Sequence, residues 1–121
     1  MPFLGKVWVA NLGCWRDISE RRAVKSLEGK HDLLQESYRT RSNSYSKCLK
    51  AARSFGYEVF ALQNGGYCSS AWNAGSTYAR YGRSADCKSD GEGGNWANEV
   101  YKILKIRKYR LEQISTINDT C

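Results

Sequence analysis

The chain has 121 residues, the length of a single domain. Only 41% of it is hydrophobic and 11 residues are glycine, so its core is small and gains from covalent staples. The net charge of +7 favours acidic partners or serves solubility alone, and the longest apolar run, Val7 to Ala10, is far too short to span a membrane.

In chain order, Val7-Trp8-Val9-Ala10-Asn11-Leu12 is rich in β-formers and predicts a strand leading into Cys14. From Arg16 to Arg41 the charge is high and the periodicity poor. This predicts a long irregular segment with one helical turn around Leu33 to Tyr38, a loop that is either functional or pinned by a disulfide at its start. Ser42-Asn43-Ser44 supplies N-cap residues. Tyr45, Cys48, Leu49, Ala52 and Phe55 then follow at helical spacing, and Gly56 stands where a C′ terminator belongs. Tyr57 to Leu62 predicts a strand, Asn64-Gly65-Gly66 a turn, and Tyr67-Cys68-Ser69 a short returning strand. Ser70 to Tyr81 is rich in small residues, with Trp72, Tyr78 and Tyr81 interspersed, and Asp86 to Asn95 is a polar Gly-rich loop. A closing strand is expected within Ala97 to Ile106. The division that follows is a domain over 1–104 and a basic, polar tail over 105–121.

Cysteine is the most informative residue type. Cys14, Cys48, Cys68, Cys87 and Cys121 include no CxxC knuckle, and His31 is the one histidine, so no metal site is expected. The pattern reads as two disulfides plus an odd thiol, hence an oxidising, extracellular compartment. Met1 to Gly5 lacks the basic start of a secretory signal and no apolar h-region follows. An oxidised chain is then expected to be a mature fragment, a module of a larger protein or an incomplete reading frame.

Taken in order, Gly13-Cys14-Trp15-Arg16-Asp17, Arg22-Ala23, Lys47-Cys48, Gly56-Tyr57-Glu58-Val59-Phe60-Ala61-Leu62, Cys68, Cys87, Gly91-Glu92-Gly93-Gly94 and Val100-Tyr101 resemble the motifs of a WSC domain. The resemblance covers about Val7 to Ile103. The family normally carries eight cysteines; here the lost positions fall on Ala52, Ser70, Gly91 and Glu92, which in the family pattern are two bonded pairs. The resemblance implies the pairing Cys14–Cys87 and Cys48–Cys68. Helix geometry separately favours the second, because Cys48 shares a face with Ala52 and Phe55. It further implies an α+β fold, an antiparallel sheet packed against one main helix and similar to PAN/apple domains, with carbohydrate binding at cell surfaces and walls as the associated activity.

Carbohydrate sites pair an aromatic platform, on which sugar C–H faces stack, with planar polar groups that bond the hydroxyls. Gln63, Asn64, Tyr67, Trp72, Asn73, Tyr78 and Tyr81 supply that mixture; the competing reading has the rings roofing a thin core. Trp8 and Trp15 are expected to pack on the disulfide of Cys14, Trp96 to pack at the core or an edge, and Asp17 to cap a turn. Asp86, Asp90 and Glu92 lack the ligand order of an EF-hand, so a Gly-rich turn is preferred to a calcium loop. Lys102, Lys105, Arg107, Lys108 and Arg110 form a cationic run suited to anionic glycans or to a solvated face. Asn118-Asp119-Thr120 is a glycosylation sequon, and Cys121 offers a covalent dimer or a free thiol.

His31 lies in a charged stretch with no nucleophile elbow near it, the only paired carboxylates sit in one local loop, and no phosphate-binding or dinucleotide fingerprint is present. The expectation is a secreted, cofactor-free, non-enzymatic module that binds neutral or anionic glycans in surface recognition or adhesion, with nucleic acid disfavoured as partner. The alternatives are an extracellular protein-interaction or structural module using the basic tail, and a small cationic defence protein.

Overall fold

The computed structural model describes residues 7–104. The tail residues Lys105, Arg107, Lys108, Arg110, Asn118 and Cys121, and with them the proposed tail over 105–121, lie outside the described residues.

The fold is a small disulfide-stapled α+β domain. Its elements are β1 (Trp8–Arg16), α1 (Ser44–Ser54), β2 (Val59–Gln63), β3 (Tyr67–Ser70), α2 (Ala74–Thr77) and β4 (Ala97–Leu104), with a 3₁₀ turn at Asp32–Leu34. The four strands form one sheet in the order β1-β4-β2-β3, and every neighbouring pair is antiparallel.

β1 does not stop before Cys14 but runs through it to Arg16. The register against β4 shifts between Asn11 and Gly13, and this bulge lets the strand bend and continue pairing. The predicted helix is α1, yet its capping differs from expectation. Asn43 sits in the left-handed region at φ 55° with no side-chain cap, and the Ser44 hydroxyl instead donates to the Arg41 carbonyl at 3.4 Å. The C-terminus behaves as the sequence suggests. Gly56 adopts φ 80°, its N–H donates to the Arg53 carbonyl, and the Tyr57 N–H reaches the Ala52 carbonyl at 3.0 Å. Those two bonds are the Schellman pattern, and they satisfy carbonyls that the helix end would leave open. α2 was not legible: Ala-Gly-Ser-Thr carries no apolar period, and its one turn exists because Ala74 is buried under the sheet.

Both faces of the sheet carry a core cluster, and the second face is covered only in part. On one, α1 and the 3₁₀ turn enclose Leu27, Leu34, Cys48, Ala51, Ala52, Phe60, Leu62, Tyr101 and Ile103. On the other, Ala23, Val24, Val59, Ala61, Ala74 and Val100 form a second, smaller cluster, bordered by Leu12, Trp15, Tyr78 and Tyr81. Two bridges pin the layers: Cys48–Cys68 ties α1 to β3, and Cys14–Cys87 ties β1 to the Gly-rich loop. This is the pairing that the family resemblance implies.

The long segment before α1 is irregular, but it is fixed in place. The Leu27 N–H donates to the Cys68 carbonyl and the Ser70 N–H to the Lys25 carbonyl, both at 2.9 Å, so residues 25–27 shield the open edge of β3. Arg41 closes the segment from within. Its side chain is fully buried and grips Glu28 in a two-toothed ion pair of 2.8 and 2.7 Å. It also donates to the carbonyls of Gly66 and Glu36 at 2.9 and 2.8 Å. Asp17 does more than cap a turn. Buried, it accepts from the N–H groups of Ile18 and Ala23, from Arg22 Nε and from the Gln63 amide.

Tyr101 is buried between the sheet and the Gly-rich loop and donates to the Gly91 carbonyl at 2.6 Å. Burial, and secondarily the Glu99 carboxylate, push its phenol well above the ordinary tyrosine range. A group whose folded pKa is raised contributes stability that is complete below its unfolded pKa and fades above it. Melting temperature should therefore be insensitive to Tyr101 up to pH about 10 and fall with further alkali. Tyr101→Phe should reduce that alkaline slope, and identical slopes for the two proteins would refute the assignment.

Candidate functional site

The site lies where the second face of the sheet is left open. A pocket of about 350 Å³ is lined by Gly56, Glu58, Val59, Trp72, Gly75 and Lys102. Its wall is Trp72, which is 82% exposed. The segment around Trp72 explains that exposure. Ala71 and Ala74 are both buried, and the Ala74 N–H closes a turn on the Ala71 carbonyl at 3.1 Å. Small residues hold the backbone close to the sheet, and the indole between them has nowhere to go but outward. Gly75 packs beside Val59, where an added Cβ would lie 3.6 Å from the Val59 side chain. Lys102 stands across from Val59 on β4 and is exposed. Glu58 precedes β2, and its carbonyl accepts from the Ile103 N–H at 2.8 Å. The pocket is thus lined by one broad ring and by the charged residues Lys102 and Glu58 around a small apolar floor.

The structure separates the residues that the sequence grouped into one glycan site. Trp72 and the partly exposed Asn73 lie together at the pocket end of the β2–β3 hairpin, and Asn64 lies at its opposite, turn end. Gln63 is a correction: it is buried at 5% exposure, and its amide donates to Asp17 and Asn98, both at 2.8 Å. No donor of that amide is left for a surface ligand. Tyr67 is half-buried, lies 4.6 Å from the Arg22 guanidinium and meets the Tyr38 ring edge-on. Tyr78 packs edge-on against Trp15 at 5.2 Å, and the Tyr81 hydroxyl donates to the Arg21 carbonyl at 2.6 Å. These last two border the second core cluster, so the roofing explanation holds for them.

Among the other tryptophans, Trp8 departs from expectation. Trp8 is 57% exposed and does not pack on the disulfide, because strand alternation turns it away from the face carrying Val9. Trp96 is 42% exposed and lies in the left-handed region at φ 52°, where its carbonyl accepts from the Asp17 N–H. Trp15 is structural, bordering the second core cluster, with its indole N–H bonded to the Leu12 carbonyl at 3.0 Å and its ring covered by Arg83.

In the acidic loop, Asp90 accepts from the Glu92 N–H at 2.9 Å, the geometry of a local turn. Burial and the neighbouring Asp90 raise the Glu92 carboxyl above its ordinary value. Among the described residues no group of three or more His, Cys, Asp or Glu side chains is placed to hold a metal ion. His31 caps the 3₁₀ turn by accepting from the Leu33 N–H at 3.0 Å. Among the same residues no helix is long and apolar enough to cross a membrane. No family model, curated protein or solved structure matches the chain.

Proposed function

We propose that this protein is a carbohydrate-binding module of WSC-like type, working outside the cell in surface recognition or adhesion, with Trp72 as its stacking platform. The observation that carries this reading is the 82% exposure of Trp72 at the rim of a pocket that also presents Lys102 and Glu58. An indole held in water by its own backbone costs solvation that a sugar C–H face relieves on stacking, while the exposed Lys102 ammonium donates to hydroxyls. The two disulfides fit an oxidising, extracellular compartment. The WSC-like identity rests on the ordered motifs from Gly13 to Tyr101 and on the agreement of both disulfides with the family's pairing.

A glycan array probed with the oxidised protein tests the reading. Trp72→Ala should weaken binding to the best glycan by roughly 1–2 kcal/mol, the worth of one aromatic platform at a binding hot spot. It should leave the melting temperature almost unchanged, because the ring has little burial to lose. Failure of any glycan to bind, or equal binding by the variant, would end the carbohydrate proposal.

A further inference from the structure

The open part of the second sheet face extends beyond the Trp72 pocket. Val9 packs with the α1-side cluster, so Trp8 and Ala10 stand on the opposite face. The register places Ala10 and Val59 on either side of Lys102, and Trp8 directly opposite Leu104. Val59 belongs to the second cluster and lines the Trp72 pocket, which fixes Lys102, Leu104, Ala10 and Trp8 on the pocket's own face. Trp8, Leu104 and Trp72 are 57%, 43% and 82% exposed. One face of the domain therefore carries two solvent-facing indoles with Lys102 between them.

We infer that the carbohydrate site is an extended one, running from Trp72 across Lys102 to Trp8, and that its ligand class is a linear oligosaccharide lying across β2, β4 and β1 rather than a single terminal sugar. This rests on the carbohydrate reading of Trp72. β1 and β2 stand on opposite sides of β4, about 10 Å apart, and Trp8 is a further 7 Å or so along β1 from Ala10. One pyranose ring cannot bridge such a span, but several linked rings can. The chemistry of the face favours a saccharide over a protein partner. A protein interface core is a continuous apolar patch depleted of lysine, whereas here an ammonium donor divides the two rings. Alternating stacking faces and hydrogen-bond donors match a chain of sugars, each with an apolar C–H face and a hydroxyl rim.

The test uses oxidised protein and three probe series, laminari-, chito- and manno-oligosaccharides, each titrated from the monosaccharide to the hexasaccharide and followed by calorimetry. Affinity in the preferred series should climb with chain length and level off once both indoles are spanned. Trp8→Ala should bind the disaccharide as the wild type does and lose roughly tenfold on the hexasaccharide, the equivalent of about 1.4 kcal/mol. Trp72→Ala should weaken every length, and so should Lys102→Gln, because Lys102 lines the Trp72 pocket itself; unchanged melting temperatures would confirm that the three variants fold. Length-independent affinity, or hexasaccharide binding by Trp8→Ala equal to wild type, would overturn the extended site while leaving the Trp72 reading intact. Binding of no saccharide at all would overturn both. Conversion of a wild-type dimer to monomer by Trp8→Ala, with glycan affinity unaltered, would reassign Trp8 to contact between copies of the chain and equally defeat the proposal.

Discussion

Arg41→Met is expected to destabilise the domain by about 2–4 kcal/mol, below the cost of breaking a fully buried ion pair because the Glu28 side chain keeps 19% of its surface in water. The Arg41 side chain has no exposed surface, and its guanidinium bonds both oxygens of Glu28 and the carbonyls of Gly66 and Glu36. Methionine preserves much of the packing volume but restores none of these donors. Glu28 would keep its bond from the Cys68 N–H at 2.7 Å and lose its counter-charge, while two carbonyls would lose their partner. The loss also spreads geometrically. Arg41 joins the segment before α1 to the hairpin turn at Gly66, and through Glu28 to β3, so the cover over the β3 edge should loosen with it. Chemical denaturation should show the lowered midpoint, and hydrogen exchange should show earlier opening at Leu27 and Ser70. Arg41→Met combined with Glu28→Gln should recover part of the loss, since no unpaired charge then remains buried. A single variant within about 1 kcal/mol of wild type would show that the pair behaves like an exposed one.

Much of the frame was legible from local sequence, because local rules governed it. The α1 period, Gly56 as terminator and the Asn64-Gly65 turn depend on near neighbours, and Asn64 and Gly65 do adopt φ 54° and 92° as such a turn requires. The Gly93-Gly94 pair shows the limit of that legibility. A Cβ on Gly93 would run into the Leu62 carbonyl on β2, and one on Gly94 into the Asp86 carbonyl at the far end of its own loop, so both glycines answer to backbone that meets them only in the fold. Those contacts leave no trace in the glycines' own surroundings. The same holds for Gln63, whose partners Asp17 and Asn98 are remote in sequence and meet only in the folded sheet. Grouping Gln63 with Trp72 by proximity along the chain overlooked that a β-hairpin sends residues a few positions apart to its opposite ends. Lys102 was found as part of a charge run. Its place in the pocket wall, between Ala10 and Val59, needed the strand register.

Removing Cys14–Cys87 should cost more than removing Cys48–Cys68, although the second bridge is the more deeply buried. The first joins positions separated by 73 residues and the second by 20. In the chain-entropy account a cross-link acts by restricting the unfolded state, and its effect grows with the logarithm of the loop it closes: about 4.5 kcal/mol for the long loop and about 3 for the short one. Packing works in the other direction. Cys48 and Cys68 have no exposed surface and sit in the main core beside Phe60 and Leu62, so replacing them with serine would also bury two hydroxyls. Alanine pairs separate the two contributions: Cys14→Ala with Cys87→Ala should lower stability the more, and the excess should disappear when both proteins are compared after reduction. Substituting serine for alanine at Cys48 and Cys68 should add a further penalty that the same change at Cys14 and Cys87 does not. Denaturant midpoints of the paired variants, oxidised and reduced, give the comparison directly. Equal losses for the two alanine pairs, with no difference between them opening or closing on reduction, would mean that loop length is not what these bridges act through.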